Sequence, residues 1–460
     1  MSDFSFSRMT RRQLLGTSAA VAAAGLLPTS SRAFAQDFSG RTITVGTIDG
    51  ELSNGVEAQK AAFEAATGAK LELVKIAGAE FQTKITADLA SGVGAFDVVI
   101  EPFIFLHSQV AGGFIEPLDS YIANDATIGL DDFIPLLFNN MGRYNEQICG
   151  LPYKADAYVF FYRKDLFEDP AVQAAYLANT GSELTVPTTS EEAVATAKFF
   201  TRSLNPDSPT EFGWAHMAEA TTSANWIWAS RFGALGGTYL DENFHPSFNN
   251  EAGIAAMQTA VELNSCCPPD VASYAWEESN TAFLTGRVAM MEQWPGLSKM
   301  AETEEGFWGR SEVIGKVGYG VPPGVTVDGQ VVQSSVLGGW AAAISSLSDE
   351  KELAYVTAAW LTSSEGELLK IAAGNDPSRF STYQAAGVAE ANPLYPTLLS
   401  CLENARITAD VDAPPVGFEL QTVMGETFNK VWSGDLEGAQ ALADVEASWT
   451  EILQMANLYK

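Results

Sequence analysis

The amino-acid sequence predicts an α/β protein of two domains, each a mostly parallel sheet flanked by helices. Three observations carry this. Strand-like alternation and helical periodicity take turns over residues 42–100, a similar region runs over residues 158–344, and no repeat or low-complexity linker separates the two. Strands alternating with helices pair in parallel through right-handed crossovers. Two αβ domains sharing several crossings of the chain fit this pattern better than two beads on a string.

The first domain reads element by element. Residues 42–47 alternate as a strand. Ser53 or Asn54 caps a helix through Thr67, which Gly68 ends in the left-handed conformation open to glycine. Residues 70–75 alternate around Leu71 and Leu73. Between Glu80 and Ser91, the side chains of Phe81, Ile85 and Leu89 share one helical face, and Gly92 stops the helix. Residues 96–100 form an apolar strand broken only by Asp97, as expected where helices cover both faces. Asp97 reads as a structural residue that caps a neighbouring turn. Ligands in such sheets sit beyond the carboxyl ends of the strands. Those ends are Asp49 to Ser53 and Glu101 to Phe105.

The second region begins with an aromatic strand at residues 158–162. Helices are expected over 187–201, with Ser190 capping, and over 225–232, carrying Trp226 and Trp228. A short helix and the strand 288–291 follow, then a strand over 316–321 and another over 339–344. Thr362-Ser363-Ser364-Glu365 has the spacing of a capping box. From Tyr395 onward the pattern is helical and amphipathic.

Upstream of all this, Thr10-Arg11-Arg12-Gln13-Leu14-Leu15-Gly16 opens an apolar run that ends at Leu27, with Ala33-Phe34-Ala35 as a small-x-small cleavage site before Gln36. Twin arginines, apolar core and cleavage site in this order predict a twin-arginine export signal over residues 1–35, handled by the twin-arginine export machinery. The run is too short and too rich in Ala and Gly to anchor in a bilayer. No Cys lies near Gln36, so no lipid tether is expected, and the product should be free in the periplasm of a cell with an outer membrane. The chain carries 26 Lys+Arg and 57 Asp+Glu. This acidity opposes binding to nucleic acid or anionic lipid.

Four cysteines, Cys149, Cys266, Cys267 and Cys401, permit three complete pairings in an oxidising compartment or buried free thiols, and the latter is the favoured reading. There is no CxxC, and His107, His216 and His245 are scattered, so a zinc or iron–sulfur site has no support. Neither a GxGxxG, a phosphate-binding loop nor a GxSxG elbow is present. No cofactor is expected.

In order along the chain stand Phe96-Asp97-Val98-Val99, Gly113-Phe114-Ile115-Glu116-Pro117-Leu118, Gly150-Leu151-Pro152-Tyr153, residues 158–167, residues 283–290, Gly338-Gly339-Trp340 and Trp360-Leu361-Thr362-Ser363. This series resembles the extracellular solute-binding proteins of carbohydrate ABC importers, the group that includes maltose-binding protein. The resemblance implies a type II periplasmic binding protein fold, with two lobes joined by a hinge and the ligand enclosed as they close. By analogy, residues 37–150 and 322–382 form the N-terminal lobe and 153–318 and 383–460 the C-terminal lobe, with hinges near Pro152 and Tyr319. It further implies a monomeric receptor that delivers a sugar, oligosaccharide or polyol to permease subunits and catalyses nothing.

A carbohydrate presents hydroxyls to planar acceptors and a C–H face to an aromatic ring. Trp294 and Trp340 fall where the family places stacking aromatics, Gly339 lets backbone amides approach, and Asn225 and Trp226 fall where a further wall residue lies. For each tryptophan alone, ordinary packing is the alternative. Asp156 matches a hinge-side carboxylate of relatives. Asp49, Glu51 and Glu101 lie on sheet-end loops, where carboxylates receive short hydrogen bonds. Arg379 matches a segment that reaches the cleft, or else forms an interlobe ion pair. A polyamine receptor of related fold, or a secreted glycoside-acting enzyme with paired carboxylates, stands as the other reading.

Overall fold

The computed structural model describes residues 37–144, 146–304, 310–406 and 415–459, without the side chains of Ala79 and Ala391; the export signal lies outside the described residues. Strands β1 (Thr42–Ile48), β2 (Lys70–Ile76) and β3 (Val98–Pro102) are joined by helices α1 (Glu51–Thr67) and α2 (Gly78–Ser91). Both β2 and β3 pair in parallel with β1, as the alternation predicts. Gly68 and Gly92 end the two helices at φ 74° and 72°. Helix α1 starts earlier than expected. Gly50, at φ 120°, is its cap, and the Ser53 hydroxyl reaches back to the Gly50 amide at 3.1 Å. Asp97 is structural: it accepts from the Thr44 amide at 2.8 Å and the Ser348 hydroxyl at 2.5 Å.

Helix α3 (Phe103–Ala111) follows β3, and the chain returns through β4 (Leu151–Ala157) and runs directly into β5 (Val159–Arg163). Later come β6 (Phe212–Ala215), helices α4 (Trp226–Ala234), α5 (Glu251–Asn264) and α6 (Trp276–Leu284), β7 (Val288–Gln293), α7 (Gly296–Ala301) and β8 (Val317–Gly320). The long strand β9 (Ser335–Ile344), helices α8 (Lys351–Leu361), α9 (Ser364–Lys370), α10 (Phe380–Tyr383) and α11 (Tyr395–Glu403), and the short strand β10 (Ala405–Arg406) precede α12 (Gly417–Trp432) and α13 (Gly438–Met455).

Two sheets result. The first runs β10–β9–β3–β1–β2, with β4 also paired to β9; the second runs β8–β5–β7–β6. The expectation of mostly parallel pairing needs correction in the second sheet, where β8–β5 and β5–β7 are antiparallel and only β6–β7 is parallel. The cause is connectivity: β5 and β8 are strands that enter and leave the lobe, so they do not belong to a repeated strand–helix–strand unit.

The lobes exchange chain at Tyr158, the single residue between β4 and β5. Its amide donates to Val336 O at 3.0 Å and its carbonyl accepts from Ser335 Oγ at 2.7 Å, so both crossing strands are tied at one point. The hinge positions expected at Pro152 and Tyr319 lie inside strands, paired with Ala341 and Phe161. Residues 153–157 belong to the first sheet, and Gly324 bridges to Thr189 of the second lobe. We propose lobe boundaries at Tyr158 and Ser334 instead. The tail also divides: β10 pairs with β9 of the first sheet. By contrast, Leu420, Met424, Phe428 and Trp449 from α12 and α13 share the second lobe's core with Trp228 and Phe248.

A further apolar cluster joins Phe81, Ile85 and Leu89 of the first lobe to Phe161, Phe283 and Met291 of the second, with Tyr395 and Leu398 of α11 among them. The expected capping box is not formed. Ser363, rather than Thr362, caps α9 by accepting from the Gly366 amide at 3.1 Å, while the Thr362 hydroxyl bonds back to Ala358 O at 2.8 Å at the end of α8. All four cysteines are buried and free.

Candidate ligand site between the lobes

Alternation on β4 puts Lys154 and Asp156, two residues apart, on the same face. The Lys154 ammonium binds Asp156 directly and stands 3.4 Å from Asp376 and 3.6 Å from Glu51. Each carboxylate arrives from a different element. Glu51 is the first residue of α1, placed there by the turn at Gly50. Asp376 sits in the segment after α9, which Asn375 fastens by donating to Glu51 O at 2.7 Å and Ser378 by donating to Pro152 O at 2.8 Å. Beside them, Lys370 pairs with Glu367 at 3.5 Å and lies 4.2 Å above the Tyr153 ring.

These groups are enclosed, and burial is the first influence on each. It pushes Asp376 up to about 7 and Glu51 up to about 8, with Lys154 opposing in both cases. Asp156 is raised by burial as well, against the pull of Lys154 and, to a lesser degree, of the Trp340 indole. Burial draws Lys154 down, but Asp156, Glu51 and Asp376 outweigh it and hold the ammonium above the usual lysine range. Lys370 is pulled down to about 8 by burial, with Glu367 opposing. Glu51 keeps 27% of its side chain exposed, which leaves this end of the cluster open to an incoming group.

The second lobe supplies rings. Trp294 follows β7 and stacks edge-on against Tyr158 (4.6 Å between centroids) and Trp226 (4.9 Å). Its six-membered ring also meets the first lobe at Gly338, beside Asp156. On α7, the Gly296 backbone approaches the Glu51 carboxylate so closely that a Cβ there would lie 2.8 Å from Oε2. Gly339 has φ 143°, and a Cβ on it would collide with Met141 and stand 2.8 Å from Lys154 O, so glycine is required at this bend of β9. The register of β9 against β4 shifts between Trp340 and Ala341.

Of the residues singled out from the sequence, the structure gathers Glu51, Asp156 and Trp340 around Lys154, with Gly339 in the supporting strand and Trp226 and Trp294 in the facing ring group. Four lie elsewhere. The exposed Asp49 carboxylate accepts from the Gly50 amide at 3.0 Å and the Ser53 hydroxyl at 3.1 Å, a helix-start role. Glu101 is fully buried at the end of β3, where its neighbour is Gln109, donating at 2.7 Å; burial pushes it up to about 8. Asn225 is buried and donates to Gln421 at 2.7 Å and Thr222 O at 2.6 Å, joining α4 to α12. Arg379 donates to the carbonyls of Thr362, Gly129 and Ile128 at 2.5, 2.9 and 3.0 Å and lies 3.7 Å over Phe133. It ties the first lobe to itself and bridges neither cleft nor lobes.

Sequence reading missed Lys154, Asp376, Tyr158 and the buried Tyr383 and Tyr395. Lys154 was legible, since a charged pair at i and i+2 on an otherwise apolar strand marks one polar face. Asp376 and the two tyrosines come from irregular segments and short helices, where spacing carries no such signal.

This arrangement of two lobes, double crossing and polar–aromatic cleft meets its relatives at family level. Residues 50–368 match the profile of the bacterial extracellular solute-binding proteins. The chain belongs to this family. Among curated relatives, a "probable amino-acid ABC transporter periplasmic-binding protein" of Sinorhizobium fredii is 28% identical over 81% of this chain and 82% of that protein. The mannitol-binding protein of Pseudomonas aeruginosa is 26% identical over 82% and 85%. Among solved structures, an ABC transporter solute-binding protein of Agrobacterium radiobacter in complex with ribitol shares 25% identity at TM-score 0.76, covering 91% of this chain and 100% of that one. As a member of this family the chain is a two-lobed solute receptor.

Proposed function

We propose that this receptor serves an ABC importer by capturing a sugar or polyol between its lobes. The carrying observation is the placement of Asp156. It lies between the Lys154 ammonium and the Trp340 indole on one lobe and, across Gly338, beside the Trp294 ring of the other. Carboxylate and ammonium groups suit hydroxyls, while a ring face suits the C–H side of the same molecule. A solute touching both lobes stabilises the closed state over the open one, and closure presents a surface that permease subunits distinguish. The named relatives with mannitol and ribitol support a polyol. We place the receptor in the periplasm, delivered by the twin-arginine leader; replacing Arg11 and Arg12 with Lys should strand the precursor in the cytoplasm.

A thermal-shift panel of polyols, mono- and oligosaccharides, amino acids and polyamines tests the ligand class. Stabilisation by sugars or polyols supports the proposal, whereas stabilisation by putrescine or by amino acids alone contradicts it.

A further inference from the structure

Lys154 stands where a lysine is costly to keep. Its side chain is 3% exposed, and burial by itself draws an ammonium toward its neutral form. The charge persists because carboxylates from three separate elements surround it: Asp156 on β4 in direct contact, Asp376 after α9 at 3.4 Å and Glu51 at the start of α1 at 3.6 Å. An ammonium has three N–H donors, and the protein sets a carboxylate near each. The place where negative charge converges is thus filled from within.

This filled place borders the facing lobe. A Cβ on Gly296 of that lobe would lie 2.8 Å from Glu51 Oε2, and Glu51 keeps 27% of its side chain exposed. Two more lysines stand around it. Lys370, paired with Glu367 at 3.5 Å, adds its charge to the field at Asp156 and Asp376. The exposed Lys299 of the facing lobe lies at the mouth, since a Cβ on Gly374 would stand 3.6 Å from Lys299 Cγ and 3.7 Å from Glu51 Cγ. Burial meanwhile raises Asp376 to about 7 and Glu51 to about 8, so near neutral pH these two carry less than their full negative charge. A second cation entering here meets ammoniums at close range with little unmatched negative charge to hold it. A hydroxyl can donate to the same oxygens without that repulsion.

We propose that Lys154 is a specificity-determining residue, a built-in cation that closes the interlobe site to cationic solutes and keeps it for neutral, hydroxyl-rich ones. This rests on the sugar-or-polyol reading and deepens it. Lys154 acts by occupying the acidic centre and by repulsion, while the solute's own contacts are with the carboxylates that Lys154 positions and with the rings of Trp340 and Trp294.

Calorimetric titration near neutral pH with matched pairs tests this, using D-glucitol against 1-amino-1-deoxy-D-glucitol and ribitol against its 1-amino analogue. The wild-type chain should bind each hydroxyl compound about tenfold or more tightly than its amine twin. In Lys154→Met the ratio should fall toward one or invert, because the carboxylates are left without their cation. Lys154→Gln, which keeps a donor and removes the charge, should shift the ratio the same way. Should both variants fold poorly, methylammonium chloride should restore their thermal stability more than sodium chloride does at equal ionic strength; equal effects of the two salts count against the inference. A ratio near one in the wild-type chain overturns it. So does a ratio unchanged in the variants, which would trace rejection of the amine to its desolvation rather than to Lys154. These outcomes leave the polyol receptor standing, whereas no binding by any sugar or polyol overturns both.

Discussion

Trp294 of one lobe rests on Gly338 of the other: a Cβ on Gly338 would stand 2.5 Å from the indole Cζ3 and 3.2 Å from Asp156 Cβ. This contact sets the aromatic wall beside the hydrogen-bonding carboxylate, so the two halves of the site form together when the lobes meet. Trp340, whose indole helps hold the Asp156 carboxyl down against its burial, completes the same corner. Trp294→Ala and Trp340→Ala should each weaken polyol binding by about tenfold or more while the protein stays folded, given what an aromatic contact with its buried area contributes. Calorimetry with circular dichroism checks both; unchanged affinity in both would remove the stacking assignment.

Arg379 makes the contrasting case. Its guanidinium holds three carbonyls of the first lobe over the Phe133 ring, away from the Lys154 cluster. Arg379→Met should lower unfolding free energy by roughly 2–4 kcal/mol, since buried acceptors lose a charged donor. Ligand affinity in the folded fraction should be unchanged. A loss of affinity without loss of stability would return Arg379 to the site.

Much of the fold was legible because periodicity records burial. The β1–α1–β2–α2–β3 unit follows from alternating and four-spaced apolar residues, and Gly68 and Gly92 mark its helix ends. The crossing between the sheets was legible only in part. The expected aromatic strand begins at Tyr158, but only the bonds to Ser335 and Val336 show that this residue is where the chain passes from one sheet to the other. In the candidate cluster, Asp156 and the tryptophans had been singled out by motif. Arg379 and Asn225 were misplaced because a polar residue near a motif can as well satisfy buried backbone or a neighbouring helix. Lys154 was passed over although its spacing to Asp156 was legible, because its other two carboxylates, Glu51 and Asp376, are distant in sequence and only the fold brings them to it.

Glu101 predicts a pH dependence. Its ordinary value is 4.5, and burial raises it to about 8 in the folded chain, so between these values the folded state keeps a proton that the unfolded state releases. The stability tied to the neutral carboxyl is complete below about pH 4.5 and is lost as pH rises through about 8. Denaturant unfolding across this window should show a decline that is shallower in Glu101→Gln. Glu51 and Asp376 act with the same sign, so the slope should shrink without vanishing. An identical slope in the variant would refute the assignment.

Arg231 and Glu292 are paired at 2.8 Å in the second lobe's interior, with a second contact from Nη1 at 2.9 Å. Removing either partner leaves a buried charge, so Arg231→Met should destabilise by roughly 3–5 kcal/mol. Arg231→Met combined with Glu292→Gln should destabilise by less than the two single changes added together. Additive losses in a double-mutant cycle would show that the pair is not coupled.

Capture between the lobes is tested most directly by calorimetric titration of the chain with a polyol, alone and in Asp156→Asn. Saturable binding at one site, abolished or weakened by about a hundredfold in the variant through loss of a charge-assisted acceptor, is the expected result. Binding that Asp156→Asn leaves unchanged, or no heat with any sugar or polyol, would contradict the account.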